Sequence, residues 1–305
     1  MIGRVRLAAT FSLLGLLVSG CANGGVRDRG AATPMKIPKA SGYYQGLDIV
    51  LPLDEYALKK TERQRFKSAV YVLSSECMKG FGLDWPKPVE QVSEVADNSR
   101  RYGVVNEGDA RKFGYAVPLP HGVTRKEALR VGRENIERTR NLPRETINLY
   151  TGENLKTLSG RKIPEGGCRG EAYRKLGLPP QGLISTTLDA MRYGTWESSR
   201  NDRIVVDAVI RWKACMRNAG YKYDTPEDAV GDRRWQHEGD PSGAEKSTAV
   251  ADVKCKRNVL FVEKWHRVEV EKQKRLIKEK KGVLDGLKRE TEALGNRIDR
   301  VPTGA

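Results

Sequence analysis

The chain has 305 residues, with 55 Lys and Arg against 39 Asp and Glu, a formal charge of +16, and 38% of its residues are hydrophobic. That excludes a polytopic membrane protein, because only one segment, at the extreme N-terminus, is apolar enough to insert. It also excludes a wholly disordered chain, because Trp, Tyr, Phe and branched aliphatics recur through the middle in helical spacing.

In residues 1–20, Arg4 and Arg6 precede an apolar run from Leu7 to Val18, which ends in Val18-Ser19-Gly20-Cys21. This pattern predicts a secretory signal peptide. About a dozen apolar residues are too few for a permanent span. The small-small-Cys ending resembles the bacterial lipobox. It predicts cleavage before Cys21 and a diacylglycerol on its thiol; the competing reading is an ordinary signal peptide with a chance Cys. Two acyl chains anchor stably where one does not, at about 0.8 kcal/mol per buried methylene. Residues 21–45 are rich in Gly, Ala, Pro and Ser and predict a flexible tether. The expected location is therefore the outer face of a bacterial cytoplasmic membrane, lipid-anchored.

The body divides on sequence into a first Cys-containing unit over 46–180, a second over 181–270, and a charged helical extension and tail over 271–305. A helix is expected over 54–79, with Phe66, Val70, Leu73 and Cys77 on one face. Residues 80–122 read as looser. A polar helix follows over 127–139, and residues 140–167 read as loop or short strand. A short helix over 168–176 is ended by Gly177 and Pro179. One or two helices are expected over 183–217, with Val205, Ala208, Val209, Trp212, Cys215 and Met216 inward. Residues 224–244 read as a polar linker. A long helix is expected over 249–294. Leu276, Val283, Leu287 and Leu294 fall near sevenfold spacing, a thin seam for a coiled coil; a solvated extension is the favoured form. The fold class is mainly α and disulfide-bonded, with an irregular insertion and a long charged C-terminal helix.

Four cysteines remain beside Cys21: Cys77, Cys168, Cys215 and Cys255. An even number in an exported chain predicts two disulfides. Gaps of 91, 47 and 40 residues offer no closely spaced pair for structural zinc. Four cysteines allow three pairings, and an internal repeat chooses among them. Cys77-Met78-Lys79-Gly80-Phe81-Gly82-Leu83 is echoed 138 residues later by Cys215-Met216-Arg217-Asn218-Ala219-Gly220-Tyr221. Each copy continues to an aromatic (Trp85 or Tyr223) and a Pro (Pro88 or Pro226). Each follows an amphipathic helix, its Gly placed as a C-cap, and each precedes one further Cys. The simplest pairing is within units, Cys77–Cys168 and Cys215–Cys255. The aromatics Trp85, Tyr221 and Tyr223 are read as cover for the disulfides rather than as a ligand groove.

These elements, with Arg100-Arg101-Tyr102-Gly103-Val104, Pro164-Glu165-Gly166-Gly167-Cys168 and Ala251-Asp252-Val253-Lys254-Cys255, resemble a family of secreted proteins and lipoproteins of actinobacteria. The resemblance covers about residues 60–290. It implies export and disulfides, and it carries over no catalytic residue.

The charge is local. Residues 254–281 hold eleven Lys and Arg against four Glu. The candidate anionic-surface residues are Lys264, Arg267, Lys272, Lys274, Arg275, Lys278, Lys280 and Lys281. They suit anionic lipid headgroups or wall polymer, at about 1 kcal/mol per basic residue near a membrane. For the stretch as a whole the favoured reading is a solvated face with pairs such as Glu271–Arg275. Nucleic acid is not expected of an exported chain. The histidines, His121, His237 and His266, have no partners at metal spacing, though His237, Glu238 and Asp240 cluster. No Gly-x-Ser-x-Gly elbow, Walker loop or dinucleotide fingerprint occurs, so no catalytic residue, cofactor or metal is expected. The leading expectation is a non-enzymatic envelope interaction module; the alternatives are an envelope hydrolase and a solute-binding lipoprotein.

Overall fold

A 3-10 turn, Pro52–Tyr56, precedes helix α1, Lys60–Gly80. The expected single helix from residue 54 is thus split: Ala57 is extended and buries no helical stripe, whereas Leu53 and Tyr56 are buried. The computed structural model describes residues 49–88, 95–120, 122–181, 186–236 and 239–302. The signal sequence, Cys21, the tether, His121, His237 and Glu238 lie outside the described residues.

Helix α2, Glu107–Phe113, is capped by the Asn106 side chain and interrupts the stretch read as loose. Helix α3, Arg125–Arg140, starts on a Thr124 cap. Helix α4, Arg144–Thr151, lies in the stretch read as loop or strand; Thr146 and Leu149, one turn apart, are buried, and Gly152 ends the helix in the left-handed region. A two-residue hairpin, β1 (Thr157–Leu158) and β2 (Arg161–Lys162), follows. Helix α5, Gly167–Lys175, then begins at a close backbone crossing. A Cβ on Gly167 would lie 2.4 Å from both the Gly152 nitrogen and the Leu149 oxygen, so the Gly-Gly pair makes a tight crossing.

Helices α6, Thr186–Arg200, and α7, Arg203–Asn218, form the expected pair. Helix α8, Pro226–Val230, and a 3-10 turn, Arg233–Trp235, occupy the stretch read as linker. The reason is Trp235, 6% exposed, whose indole nitrogen donates to the Ala229 oxygen at 2.8 Å. The long C-terminal helical stretch is present in three segments: α9 (Gly243–Asn258), α10 (Phe261–Glu279) and α11 (Lys281–Ile298). Its first break is at Leu260, held at φ 54°; the second is at Lys280. Helix α11 is no free extension. Leu284 packs with Leu53, Tyr56 and Leu188, and Leu294 and Ile298 pack with Val70 and Leu73. Val283, which the sevenfold spacing selects, is 48% exposed.

The protein is mainly helical, with disulfides Cys77–Cys168 and Cys215–Cys255. The described residues fall within one compact unit. Val104, Ala110 and Tyr115 share a core with Trp212, Met216 and Cys255, so segments from both halves build the same cluster. No helix among the described residues is long and apolar enough to cross a membrane.

The repeat has a geometric meaning. In both copies the Gly lies in the left-handed region, Gly82 at φ 77° and Gly220 at 89°. The amide of Leu83 donates to the Met78 oxygen at 3.1 Å and that of Gly82 to Lys79 at 2.9 Å. In the second copy Tyr221 donates to Met216 at 2.9 Å and Gly220 to Arg217 at 3.0 Å. These are the paired bonds of a Schellman cap, closed by its apolar contact: Met78 shares a cluster with Leu83, and Met216 with Tyr221. A Cβ at Gly82 or Gly220 would meet nothing within 4 Å, so alanine there costs only backbone strain. Gly82→Ala and Gly220→Ala are each expected to lower stability by about 1–2 kcal/mol in urea unfolding. Gly286→Ala, equally open but inside α11, is expected to raise it by about 0.5–1 kcal/mol.

Candidate anionic-surface site

The inward face of α10 has an apolar half and a polar half. Phe261, Val262, Trp265 and Val268 pack with Val205, Ala208 and Tyr102. Trp265 also donates its indole N–H to the Ser199 hydroxyl at 2.7 Å. Beyond them, Glu269 and Gln273 are fully buried. Arg101 forks onto the Glu269 carboxylate, which also accepts from the Tyr102 hydroxyl at 3.0 Å and from Gln273 Nε2 at 3.1 Å. Gln273 Oε1 accepts from the Leu53 amide at 2.9 Å, and its Nε2 reaches Thr195 Oγ1 at 3.3 Å. Arg101 Nη2 donates to the Arg192 oxygen at 2.7 Å. Arg192 and Asn98 both bond to Asp54, at 2.5 and 2.7 Å, and Asp54 in turn accepts from the Leu51 amide. A turn of α10 by one position would swing Glu269 about 100° off its donors, leaving a buried charge unpaired. The network therefore fixes which face of α10 points outward.

That outward face carries five of the eight expected residues. At about 100° per residue, Lys264, Arg267, Lys274, Arg275 and Lys278 share one arc of roughly 100°, away from the core positions. Lys274 pairs with Glu271 at 3.4 Å, so the expected Glu271–Arg275 pair is not formed. Lys264, Arg267, Arg275 and Lys278 have no ion pair among the described residues. Lys272 sits off the arc, 3.8 Å from Asp202. Lys280 and Lys281 lie at the α10–α11 junction, and Lys281 is held by Asp285 at 2.6 Å. Upstream, Lys254 and Arg257 turn to Glu107. Lys256 is 1% exposed and adds nothing to the surface.

A cleft of about 770 Å³ opens beside the arc, between α6 and α10. Its α6 wall includes Thr187, Ala190, Gly194 and Ser198; its α10 wall is Lys272, Arg275, Leu276 and Glu279. The α6 wall escaped sequence reasoning. Its one signal is a run of short side chains at helical spacing around a mid-helix glycine.

Helices α7 and α9 hold a second buried cluster. Lys256 Nζ lies 3.0 Å from Asp252 Oδ2 and donates to the Val104 oxygen at 3.1 Å. Asp252 Oδ1 accepts from the Trp212 indole at 2.8 Å. Burial pushes the Asp252 carboxyl above the usual carboxylate range, against the pull of Lys256. Burial also raises the Tyr115 phenol, with Asp252 adding to it. Asp252, Lys256 and Trp212 are all enclosed, and the cluster reads as structural. His266 Nε2 meets the Val50 oxygen at 2.9 Å, a contact that ties α10 to the irregular segment before the first 3-10 turn. Trp85 stacks on Tyr150 at 3.6 Å in the cluster that holds Cys77 and Cys168. Tyr221 and Tyr223 pack on the cluster of the second disulfide, and Tyr223 donates to Asp232 at 2.8 Å. No group of three or more His, Cys, Asp or Glu among the described residues is gathered for a metal. Comparison with known proteins finds no family model, no curated protein and no solved structure that matches the chain.

Proposed function

We propose that this is a lipid-anchored envelope protein whose outward α10 face binds an anionic surface, lipid headgroup or wall polymer, as an interaction module rather than an enzyme. One observation carries the reading: Lys264, Arg267, Arg275 and Lys278 share an arc and are spent on no ion pair among the described residues. A network of buried hydrogen bonds holds that arc outward. The Val18-Ser19-Gly20-Cys21 ending supports the anchor, and a flexible tether of about 25 residues would have an r.m.s. reach of about 25–30 Å, enough to let the domain meet the membrane surface.

The test separates arc from anchor. The mature chain from Ala22 onward, without the signal sequence and Cys21, carries neither an acyl group nor that apolar segment. It is expected to bind phosphatidylglycerol vesicles at low salt and to release them as salt rises. Replacing Lys264, Arg267, Lys274 and Lys278 together with Gln is expected to weaken that binding at least about 100-fold, taking about 1 kcal/mol per residue less some screening. Salt-independent binding, or none at low salt, overturns the reading. Mass spectrometry of the mature N-terminus reports the acyl group on Cys21.

A further inference from the structure

The α6–α10 cleft has features that folding does not require. Gly194 stands in the middle of α6, where glycine costs about 0.5–1 kcal/mol against alanine. A Cβ there would meet nothing within 4 Å, so no contact inside the protein demands its absence. Ala190 and Ser198, one turn to either side, are short as well. Together they leave the helix surface open to close approach. Across the cleft, Arg275 and Glu279 lie one turn apart and are not paired with each other or with any other charge among the described residues. Lys272 has only Asp202, at 3.8 Å. The Thr195 hydroxyl is already committed to the Met191 oxygen and to Gln273, whereas Thr187 and Ser198 are exposed.

We infer that this cleft binds a phosphorylated polyol or sugar. The guanidinium of Arg275 and the ammonium of Lys272 match the paired oxygens of a phosphoryl group. Glu279 is placed to accept from ligand hydroxyls, and Thr187 and Ser198 offer hydroxyls from the facing wall. The flat carbon face of a polyol fits the shallow wall at Ala190 and Gly194. A volume of about 770 Å³ lies within the roughly 300–1,000 Å³ of small-molecule sites. The proposal deepens the reading of α10 as an anionic contact and rests on it for the setting in which such esters occur.

Calorimetric titration of the same unacylated mature chain tests it, with glycerol 3-phosphate and glucose 6-phosphate as probes and inorganic phosphate as the bare anion. Saturable binding of an ester is expected, tighter than that of inorganic phosphate. Arg275→Gln is expected to weaken it at least tenfold. Gly194→Leu, which fills the cleft without changing any charge, should do the same, with circular dichroism and the urea midpoint reporting its folding. The four-residue arc variant should keep ester binding while losing vesicles. If that variant keeps its vesicles, the surface reading fails and the cleft stands. Phosphatidylglycerol vesicles that compete with the ester point to a lipid headgroup; vesicles that do not compete point to a soluble ester. No saturable ester binding, equal affinity for inorganic phosphate, or an affinity that Gly194→Leu leaves unchanged overturns the proposal.

Discussion

Replacing Asp252 with alanine is expected to destabilise the protein by about 3–5 kcal/mol, because it leaves the Lys256 ammonium buried without its counter-charge. Asp252 and Lys256 are both fully enclosed, and what remains to the ammonium among the described residues is the Val104 carbonyl and, 5.9 Å away, the Phe261 ring. The Trp212 indole would lose its acceptor as well. Those losses differ from the net worth of the pair, since each ion also bore a desolvation cost on folding. The control is Asp252→Asn with Lys256→Met. Asparagine keeps an acceptor for Trp212 and methionine fills the lysine stem's volume, so what is left unpaired is neutral, the Val104 oxygen and the new amide N–H groups, at about 1–3 kcal/mol for each group without a partner. The double variant should therefore be more stable than Asp252→Ala in urea unfolding. Equal losses would mean that the damage comes from packing rather than from the stranded charge.

Lys256→Met alone gives a pH signature of definite sign. Burial already pushes the Asp252 carboxyl upward, and removing Lys256 takes away the charge that opposes it. The native state then binds a proton more tightly than the unfolded chain does. Stability is full below the unfolded carboxylate pKa, about 3.9, and falls as pH rises toward the folded value, by at most about 1.4 kcal/mol per pH unit. The difference between this variant and the parent should thus widen from acid to neutral pH. A constant difference would mean that removing Lys256 leaves the Asp252 titration where it stands in the parent.

Much of this architecture could be read from the sequence where local geometry demands particular residues. The Cys-Met-x-x-x-Gly repeat encodes a Schellman cap and a disulfide at the same helix end, so copy number and pairing followed from one pattern. The basic stretch was legible as a charge count; that Lys264, Arg267, Lys274, Arg275 and Lys278 share an arc and Lys272, Lys280 and Lys281 do not follows from where α10 begins, ends and packs. The break at Leu260 was not, because a leucine held at positive φ carries no Gly or Pro signal. The burial of Lys256 was hidden for a similar reason: an Asp four residues before a Lys reads as a surface pair, and only Val104 and Trp212, distant in sequence, turn it inward. Trp235 looked like part of a linker because the helix that satisfies its indole, through the Ala229 oxygen, is a single short turn with no periodic pattern. The cleft depends on α6 lying against α10, a tertiary fact that short side chains at 190, 194 and 198 do not announce.

Removing either disulfide by paired Cys→Ala replacement is expected to cost about 4–5 kcal/mol in the chain-entropy model. The Cys77–Cys168 loop spans 91 residues and the Cys215–Cys255 loop 40. On loop length alone the first should cost about 0.7 kcal/mol more. Local structure argues for a further difference. Cys215 and Cys255 each lie three residues beyond Trp212 and Asp252, so the disulfide and the Trp212–Asp252 hydrogen bond are successive rungs between α7 and α9. Opening one rung lets the helices shift where the other must hold its 2.8 Å distance. The cost of Asp252→Ala, which removes the acceptor of the Trp212 indole, should therefore be coupled to Cys215→Ala/Cys255→Ala by about 0.5–3 kcal/mol in a double-mutant cycle. Cys77 and Cys168 share a different cluster, with Met78, Leu149 and Ile163, and their removal should add to Asp252→Ala within about 0.5 kcal/mol. Equal coupling of both disulfides to Asp252 would mean that each acts through the unfolded chain alone, and that the α7–α9 rungs are independent.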